Sequence, residues 1–453
     1  MKLFGTDGVR GLVNSELDSI LALKLGASVA HILKQKLNKE KLTFLIGGDT
    51  RISHDMLKSG VISGFLSEGC DIIDVGIIPT PAISYLITKK NLDGGFVVSA
   101  SHNPVKYNGI KVFNNKGYKL DDEIELEIEN YLLNDFSINK NINEVGILKQ
   151  EDLKNIYVDY LLSTIDNTKI PFKVIVDVAN GASYKTADLL FSKLDIDYKI
   201  INNDVDGYNI NDNCGSTHLE NLQKIVVYEK YDLGISFDGD ADRCLFVDDK
   251  GCIIDGDYVL AIVSSYLKLD SIVGTIMSNL GLIKFASNNN INFVSTKVGD
   301  KYVLEEMLKN GEILGGEQSG HIIFKKYLTT GDGELTALQI LNIMTNKNKL
   351  LSELKNIMKK YPQVLVNLEV TKEVKDNFDS NDKVKDVINK YENKLNGDGR
   401  IVVRKSGTEN LIRIMIEGSN QEDINTYANS LKSEIEELIK WLIYCIIQIS
   451  YKV

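Results

Sequence analysis

The chain has 453 residues, too many for one compact domain, and its length predicts about three or four domains. Hydrophobic residues make up 43% of it and charged residues 25%. These values are typical of folded soluble proteins, and they exclude extensive disorder, a collagen-like repeat or a membrane bundle. The 52 Lys and Arg against 63 Asp and Glu give a net charge of −11. Because nucleic-acid-binding proteins usually carry a basic face, we expect no nucleic-acid partner.

Cysteine usage and the amino-terminal sequence both indicate a cytoplasmic location. The cysteines are scattered without a C-x-x-C pair, which favours neither a disulfide framework nor a zinc ribbon. They are Cys70, Cys214, Cys244, Cys252 and Cys445. The opening MKLFGTDGVRG lacks the apolar stretch of a signal peptide. A reducing cytosol is therefore the simplest interpretation.

The segment Trp441–Ile449 (WLIYCIIQI) is strongly apolar. A membrane span needs about 20 such residues, and Lys440 and Lys452 enclose far fewer, so we predict no membrane span. We expect a last helix or strand packed on its own domain. A peripheral anchor or a self-association surface, which would allow a homodimer, is the alternative for the tail 441–453.

Short apolar runs alternate with helical patterns along the chain, which predicts βα units and sheets with parallel strands. In the first block we predict strands at 42–47, 71–75 and 95–98 and helices at 55–69 and 121–130. The second block has strands at 173–177 and 233–237, with a helix that ends near 193. The third has strands at 272–277 and 292–295 and helices from about 281 and 302. The last has strands at 401–403 and 411–417 and a helix from about 421.

This pattern predicts three similar α/β domains with mixed sheets and a smaller carboxyl-terminal α+β domain around a central cleft. We place the four domains at 1–150, 151–252, 253–361 and 362–453. In parallel α/β sheets, ligands bind beyond the carboxyl ends of the strands. Each block has one polar loop that contains glycine or other small residues, and these four loops are the candidate binding elements.

The first loop, Ser99–Pro104 (SASHNP), directly follows the strand predicted at 95–98. Small residues after a buried strand let backbone amides approach an anion, and Asn-Pro favours a turn. A serine in this loop could act as a nucleophile if a neighbouring group activates it. An ordinary cluster of loop serines is the alternative. The lipase-type G-x-S-x-G motif is absent.

The second loop, Asp238–Arg243 (DGDADR), has three carboxylates at alternate positions after the strand predicted at 233–237. On an extended segment these side chains point to one side, and their mutual repulsion favours a hard cation such as Mg²⁺. An EF-hand is excluded because its sixth position would be Arg243 and its twelfth Asp249. A solvated acidic turn remains the alternative.

Two further loops offer groups that suit a sugar phosphate. Gly315–His321 (GGEQSGH) presents Glu and Ser to sugar hydroxyls, although many surface loops look alike, and it lacks the Lys-Ser/Thr of a P-loop. Arg404–Asn410 (RKSGTEN), followed by Arg413, combines two guanidinium groups with two hydroxyls. Because arginine binds phosphate bidentately, we predict a phosphate cradle there, with a solvated basic turn as the alternative.

In this order the four loops resemble those of the α-D-phosphohexomutase superfamily, and the resemblance extends from residue 4 to about 439. The opening FGTDGVRG (Phe4–Gly11) is a further match. Three segments are most similar to the bacterial phosphoglucosamine mutase branch: NIND with the following CGST (209–217), GGEQSGH with Gln318, and TTGDG (329–333). The phosphomannomutase/phosphoglucomutase branch typically has Met in place of Gln318.

The resemblance implies a phosphoserine at Ser101 that donates and recovers a phosphoryl group. It implies one Mg²⁺ held by a phosphoserine oxygen and by Asp238, Asp240 and Asp242. Three further groups would lie beside the transferring phosphate, with the lysine as general acid/base: Arg10, Lys111 and His321. The implied substrate-binding residues are Gly299, Asp300, Glu317, Ser319, Arg404, Ser406, Gly407, Thr408 and Arg413.

Three residues depart from the superfamily's pattern. Ala241 stands where the metal loop usually has glycine, and we expect its methyl group to demand a negative φ. Asn410 replaces a proline, which frees a turn and restores an N–H group. Lys301 replaces an arginine, which removes a bidentate contact.

The implied activity is the reversible conversion of glucosamine 6-phosphate to glucosamine 1-phosphate, which would supply UDP-N-acetylglucosamine synthesis. A glucosamine 1,6-bisphosphate would serve as intermediate and as priming activator. The alternative within the superfamily is a phosphomannomutase/phosphoglucomutase. A phosphatase of the haloacid dehalogenase type would instead use Asp238 as nucleophile and Asp240 as acid/base. A non-catalytic sugar-phosphate sensor would need the Arg404 cradle but not the three carboxylates.

Overall fold

Four β-sheets with their helices make up the part of the chain that this computed structural model describes, residues 3–5, 7–138, 144–378, 382–406 and 410–450. Side chains are described as far as residue 439. The chain forms two units. The larger contains Met1–Thr275 and Ile291–Ile357, and the smaller contains Ile276–Asn290 and Met358–Val453.

The first sheet of the larger unit has seven strands. They are β1 (Phe4–Gly5), β2 (Gly8–Leu12), β3 (Thr43–Gly48), β4 (Asp71–Ile77), β5 (Gly94–Val98), β6 (Tyr107–Asn114) and β7 (Leu148–Gln150). The sheet order is β1-β2-β6-β5-β3-β4-β7, with parallel pairs from β5 to β7 and antiparallel pairs on the other side. Its helices are α1 (Ser19–Leu37), α2 (His54–Ser67), α3 (Thr80–Lys89) and α4 (Asp122–Asn130), and a π-helical turn (Tyr131–Asp135) follows.

Apolar packing in the first sheet fixes the end of β5. This strand is buried along its whole length, and a strand covered on both faces has an unbroken apolar sequence. Phe44 of β3 and Phe96 of β5 pack on Phe65 of α2, with ring centroids 4.7 and 5.4 Å from that ring. The polar residues after β5 therefore emerge at the carboxyl edge of a rigid layer.

The second sheet has five strands in the order β12-β11-β10-β8-β9. Its elements are α5 (Lys154–Leu162), β8 (Lys169–Asp177), α6 (Thr186–Ser192), β9 (Asp195–Ile201), α7 (Glu220–Tyr228), β10 (Leu233–Phe237), β11 (Cys244–Asp248) and β12 (Ile253–Ile254). A 3₁₀ turn (Ala182–Tyr184) precedes α6. β10 pairs parallel with β8 and antiparallel with β11, so the acidic loop forms the tight connection between two buried strands.

The third sheet has four strands in the order β14-β13-β15-β16. Its elements are α8 (Gly256–Leu267), β13 (Ser271–Thr275), β14 (Asn292–Thr296), α10 (Asp300–Asn310), β15 (Leu314–Gly316), β16 (Ile322–Phe324), α11 (Gly333–Lys347) and α12 (Leu351–Leu354). A 3₁₀ turn (Lys355–Ile357) ends the larger unit. The helix α9 (Leu280–Asn288), which lies between β13 and β14 in the chain, belongs to the smaller unit.

The smaller unit has a three-stranded antiparallel sheet in the order β17-β19-β18. Its further elements are β17 (Gln363–Glu369), α13 (Lys372–Asn377), α14 (Asp382–Leu395), β18 (Gly399–Lys405), β19 (Leu411–Gly418) and α15 (Gln421–Ser450). Ile412, Ile414 and Ile416 of β19 pack with Ile424 and Leu431 of α15. Three mixed α/β sheets followed by a smaller α+β region confirm the predicted fold class.

Glu417 explains why α9 packs with the smaller unit. This buried carboxylate accepts hydrogen bonds from Asn279 Nδ2 at 2.9 Å and from the N–H of Leu280 at 3.2 Å. It also accepts one from Arg400 Nε at 2.6 Å. A carboxylate at the amino end of a helix satisfies otherwise unpaired N–H groups. β18 and β19 therefore hold the start of a helix that is distant in the sequence.

The apolar segment near the end of the chain is helical in its backbone, because α15 continues to Ser450. Its side chains from residue 440, and residues 451–453, lie outside the described part. Within the described residues no helix combines the length and apolar character that crossing a membrane requires. An anchoring or self-association role for 441–453 stays a prediction.

Candidate active site

Ser101 lies in the loop between β5 and β6, just beyond the carboxyl end of β5. It is 2% exposed, and its φ of 52° is in the left-handed region, which costs a non-glycine residue about 1 kcal/mol or more. Its N–H donates to Ser99 Oγ at 2.9 Å. A buried serine held in an unfavourable backbone conformation is typical of a functional site.

Asp238, Asp240 and Asp242 form a buried cluster in the connection between β10 and β11. One carboxylate oxygen of each lies within 4.8 Å of those of the others. In the described part of the chain, the buried Oδ1 atoms of Asp240 and Asp242 have no hydrogen-bond partner. Hard oxygen ligands that leave two buried atoms unsatisfied fit a divalent cation such as Mg²⁺.

The serine loop and the acidic loop meet at Asp238. Ser101 Oγ donates to Asp238 Oδ2 at 2.6 Å. A Cβ on the next residue, Gly239, would lie 2.6 Å from Ser101 O, so only glycine allows this approach. Burial, followed by the charges of Asp242 and Asp240, raises the pKa of Asp238 well above its usual value. A cation between the three carboxylates would stabilise the ionised form of Asp238 and so lower its pKa again.

Ala241 corrects one expectation, because its φ is +57° rather than negative. Two backbone hydrogen bonds impose this conformation. The Ala241 N–H donates to Asp238 O at 3.0 Å, and Ala241 O accepts from the N–H of Gly333 at 2.9 Å. The methyl group is accommodated in a fully buried position, at a cost of about 1–2 kcal/mol for a left-handed alanine.

Lys111 on β6 lies among carboxylates and is 1% exposed. Its Nζ lies 2.8 Å from Asp240 Oδ2, 2.9 Å from Asp7 Oδ2 and 3.6 Å from Asp242 Oδ2. Burial alone would lower the pKa of Lys111, but Asp240, Asp7 and Asp242 hold it well above its usual value. A protonated amine donates and cannot accept a proton, so the geometry favours Lys111 as a cation or acid over a general base.

A chain of charged pairs connects Lys111's partner Asp7 with Arg10 and His321. Asp7 Oδ2 lies 2.7 Å from Arg10 Nη2, and Asp7 Oδ1 lies 2.5 Å from Lys119 Nζ. Lys119 Nζ also donates to Asp300 Oδ2 at 2.6 Å. The same Asp300 oxygen lies 3.6 Å from His321 Nε2. The structure thus brings the expected Arg10, Asp300 and His321 into one network with Lys111.

His102 is a further candidate, which the sequence analysis did not assign to the site. Its Nδ1 lies 3.3 Å from Ser101 Oγ. Burial, followed by the charges of Arg243 and Arg10, lowers the pKa of His102 to about 3. The imidazole is therefore neutral near pH 7, but a group with so low a pKa is a weak base. The single proton of the Ser101 hydroxyl is donated to Asp238 Oδ2, so His102 is a neutral neighbour of the serine and the geometry does not favour it as a general base.

The sugar loop lies on the connection between β15 and β16. Glu317 is half-buried, and its Oε1 accepts a hydrogen bond from the N–H of Gly299 at 3.0 Å. Gln318 Nε2 donates to Asp257 Oδ2 at 3.1 Å. Ser319 is exposed. The structure therefore joins Gly299 to Glu317 and leaves the Ser319 hydroxyl accessible to a ligand.

The TTGDG turn before α11 supports the acidic loop. A Cβ on Gly333 would lie 2.5 Å from Arg243 O and 3.0 Å from Ala241 O, so the turn and the loop are in backbone contact. Asp332 caps α11 by accepting from the N–H of Leu335 at 2.9 Å. It also accepts from the Tyr157 hydroxyl at 2.7 Å. Burial raises the pKa of Asp332 to about 7.

We expect the effect of Asp332→Asn on the free energy of unfolding to be more favourable at pH 8 than at pH 5, when the variant is compared with wild type at each pH. The folded state keeps the Asp332 proton up to about pH 7, whereas the unfolded state loses it near pH 4. The wild-type protein therefore loses stability as the pH rises between these values, and asparagine does not titrate. Urea unfolding at the two pH values should show a relative gain of roughly 2–3 kcal/mol for the variant.

Asp18→Asn is the matched control, because Asp18 caps α1 in the same way but is half-exposed. This substitution should change stability equally at pH 5 and pH 8. An Asp332→Asn effect that is the same at both pH values would contradict the prediction.

Arg404 and Arg413 lie directly opposite each other on β18 and β19 of the smaller unit. Opposite residues in an antiparallel pair share a face, with Cβ atoms about 5 Å apart. Both guanidinium groups can therefore reach one anion, as the predicted phosphate cradle requires. Ser406, just after β18, is 2% exposed. Gly407 and Thr408 lie outside the described residues.

Sequence reasoning missed several charged residues of the site: Asp7, Asp49, Arg51, His102 and Lys119. Asp49 and Arg51 directly follow β3, the neighbour of β5 in the sheet. Because ligands bind beyond the carboxyl ends of such strands, this position could have identified both residues as candidates. His102 was part of the quoted serine loop. Lys119 had no local signal, because its partner Asp300 lies 181 positions away.

Four models of one protein family match the chain in order. Three are described as phosphoglucomutase/phosphomannomutase alpha/beta/alpha domains I, II and III, and they match residues 1–138, 155–251 and 255–361. The fourth is the phosphoglucomutase/phosphomannomutase C-terminal domain and matches residues 365–433. Together they cover most of the chain.

Several bacterial proteins are similar over nearly the whole length. A phosphoglucosamine mutase of Clostridium novyi is 50% identical over 447 residues, which is 96% of this chain and 99% of that protein. A phosphoglucosamine mutase of Clostridium acetobutylicum is 49% identical over 451 residues, again 96% of this chain and 99% of the relative.

Solved structures share the fold at lower identity. A phosphoglucomutase/phosphomannomutase family protein from Burkholderia thailandensis has a TM-score of 0.79 and 22% identity, covering 95% of this chain and 98% of its own. The N-acetylphosphoglucosamine mutase of Aspergillus fumigatus, solved with GlcNAc-6P and magnesium, has a TM-score of 0.71 and 17% identity. That match covers 96% of this chain and 95% of the fungal one.

Proposed function

This chain belongs to the phosphoglucomutase/phosphomannomutase family, and from that premise we propose that it interconverts glucosamine 6-phosphate and glucosamine 1-phosphate. The observation that carries the chemistry is the 2.6 Å hydrogen bond from Ser101 Oγ into the buried cluster of three carboxylates. The amino-sugar assignment is supported by relatives about 50% identical that are named phosphoglucosamine mutases.

In the proposed reaction, phosphorylated Ser101 donates its phosphoryl group to a sugar hydroxyl. The bond from phosphorus to Ser101 Oγ breaks as the bond to the sugar oxygen forms, and the hydroxyl proton passes to a base. The resulting bisphosphate turns end for end. Ser101 Oγ then attacks the other phosphorus and gives up its proton, and the departing sugar oxygen gains one. The protein contributes mainly positioning and electrostatic stabilisation, as in other phosphoryl transfers.

Asp238, Asp240 and Asp242 would hold Mg²⁺, with a phosphoserine oxygen as a further ligand. The ion, when bound, offsets negative charge on the transferring phosphoryl group. Lys111 adds a fixed positive charge beside these carboxylates. Lys111, the general acid/base that the resemblance implies, would in its protonated state give a proton to the departing oxygen.

The substrate-binding assignments remain proposals. We propose that Glu317 and Ser319, with Gly299 and Asp300, bind the sugar. The phosphate that is not transferred would bind to the residues of the fourth loop: Arg404, Ser406, Gly407, Thr408 and Arg413. A site of cations and hydroxyls suits this task, because it recognises phosphate whichever carbon bears it.

Further expectations from the sequence also stay predictions. A glucosamine 1,6-bisphosphate would prime the enzyme, because Ser101 needs a phosphoryl donor before its first turnover. The four domain bounds, the cytoplasmic location and the homodimer belong to the same group. Gel filtration coupled to light scattering would decide the last of these.

The sugar assignment predicts that the protein turns over glucosamine phosphates faster than glucose or mannose phosphates. Coupled assays on one preparation, primed with the corresponding 1,6-bisphosphate, should give the higher kcat/KM for the amino sugar. A preference of more than about tenfold for either neutral sugar, roughly 1.4 kcal/mol of transition-state discrimination, would favour the phosphomannomutase/phosphoglucomutase alternative. Release of inorganic phosphate at the rate of turnover would instead indicate a phosphatase.

A further inference from the structure

Arg51, on the turn after β3, is buried within the serine loop. Its side chain has no exposed surface, and all five of its guanidinium N–H groups donate hydrogen bonds. Nε donates to Asp49 Oδ2 at 3.0 Å, and the four other donors bind backbone carbonyls at 2.7–3.0 Å. Those carbonyls belong to Ser101, Asn103, Pro104 and Tyr107.

Both peptide groups that flank Ser101 are linked by hydrogen bonds to the Asp49–Arg51 pair, one directly and the other through Ser99. The peptide before it is fixed through its N–H, which donates to Ser99 Oγ at 2.9 Å, and Ser99 Oγ donates to Asp49 Oδ2 at 2.6 Å. The peptide after it is fixed through Ser101 O, which accepts from Arg51 Nη2 at 2.8 Å. Asn211 Nδ2 adds a second bond to that oxygen at 2.9 Å.

We propose that Asp49 and Arg51 are positioning residues that hold Ser101 in its left-handed conformation and thereby aim its Oγ at the acidic cluster. The inference rests on the proposed function, in which Ser101 carries the phosphoryl group. Neither residue can touch a substrate, since both side chains have no exposed surface. Their effect reaches the reaction only through the backbone of the nucleophile.

Arginine suits this task better than lysine. Its planar group presents five donors in a fixed arrangement, whereas lysine presents three donors around one atom. Holding four carbonyls of one loop at once needs the larger, rigid donor set. Asp49 in turn fixes the guanidinium group through Nε and the serine loop through Ser99, so the pair acts as one unit.

The test compares Arg51→Met, Arg51→Lys and Ser99→Ala with the wild-type protein. We expect kcat to fall about 100-fold for Arg51→Met and about tenfold for Arg51→Lys and Ser99→Ala, with KM within about twofold of wild type, because a small misplacement of a reacting atom slows chemistry without changing ground-state binding. Phosphorylation of Ser101 by glucosamine 1,6-bisphosphate, followed by intact-protein mass, should slow in the same order.

Two measurements separate positioning from a general loss of structure. The Mg²⁺ affinity of the dephosphorylated variants, measured by calorimetry, should match wild type, because none of the three aspartates bonds to Arg51. Lys58→Met is the matched control: it removes an ion pair with Asp74, 3.1 Å long, in the same sheet region but away from the serine loop. It should lower thermal stability and leave kcat unchanged.

Ser99→Ala and Arg51→Lys keep the test decisive even if Arg51→Met does not fold. If both retain kcat within about twofold of wild type, the proposal is wrong. It is also wrong if KM and Mg²⁺ affinity change as much as kcat, since that pattern indicates a merely structural role. A wild-type protein that glucosamine 1,6-bisphosphate does not phosphorylate at Ser101 overturns the proposed function, and this inference with it.

Discussion

Replacement of Ser101 by alanine should lower kcat for sugar-phosphate interconversion by at least about 10⁴-fold, since Ser101 is the proposed carrier of the phosphoryl group between the two transfers. The hydroxyl is 2.6 Å from Asp238 and 3.3 Å from the His102 imidazole, so its removal would delete both the proposed nucleophile and a proposed metal ligand. A coupled assay gives the rate, and intact-protein mass before and after phosphatase treatment shows whether a phosphoryl group is bound.

Ser192→Ala, an exposed serine on α6, is the control for that experiment. It should keep full activity and the same phosphorylation state as wild type. A Ser101→Ala protein that retains more than about one hundredth of the wild-type rate, or that still gains a phosphoryl group from the bisphosphate, would show that another residue carries it.

Short-range patterns were sufficient to locate the strands that precede the serine loop and the acidic loop. The strand expected at 233–237 is β10 (Leu233–Phe237), and the strand expected at 95–98 begins one residue earlier as β5. Both are buried on both faces, so their apolar runs are unbroken and end sharply at a polar residue. The loops that follow could therefore be located without knowledge of the sheet order.

Contacts between distant segments could not be predicted in this way. Lys111 meets Asp240 across 129 positions and Lys119 meets Asp300 across 181, and no local pattern encodes such pairs. Lys111 shows the consequence. Its charge state does not follow from the segment NGIK, whereas the structure shows carboxylate neighbours that raise its pKa. Its role as general acid/base stays a prediction.

Backbone conformation in the acidic loop was also beyond the sequence. The rule that alanine avoids a positive φ is a statement about isolated residues, where the penalty is about 1–2 kcal/mol. Ala241 accepts that penalty because the N–H of Gly333 and the carbonyl of Asp238 fix the turn from outside. The positive φ of Ala241 could be recognised only from the contact between the acidic loop and the TTGDG turn before α11.

The site also shows how an acidic chain can handle a phosphate. Carboxylates and cations alternate through it: Asp7 contacts Arg10, Lys111 and Lys119, and Asp240 contacts Lys111. Such paired charges are largely compensated, whereas Asp238 is adjacent mainly to like charges. The uncompensated position is therefore the one where a divalent cation changes the electrostatics most.

Asp238→Asn should have opposite effects on activity and on the stability of the metal-free protein. Activity with Mg²⁺ should fall by about 10³-fold, because the substitution removes one of three anionic ligands. In EDTA, however, the variant should unfold at a higher temperature than wild type. It removes a buried charge that burial and the neighbouring Asp242 and Asp240 disfavour. Asparagine can still bond both partners, because its Oδ1 can accept from the N–H of Arg243 and its Nδ2 can donate to Ser101 Oγ. Calorimetry with and without Mg²⁺ gives both midpoints.

Mg²⁺ should then separate the two proteins. A saturating concentration should raise the midpoint of the wild type by about 5 °C, because the ion binds the folded state, and should leave that of the variant nearly unchanged. Asp204→Asn, an exposed acidic residue outside the cluster, should behave as wild type in every assay. If Asp238→Asn destabilises the protein in EDTA, or if Mg²⁺ stabilises the variant as much as the wild type, the three carboxylates do not form the metal site.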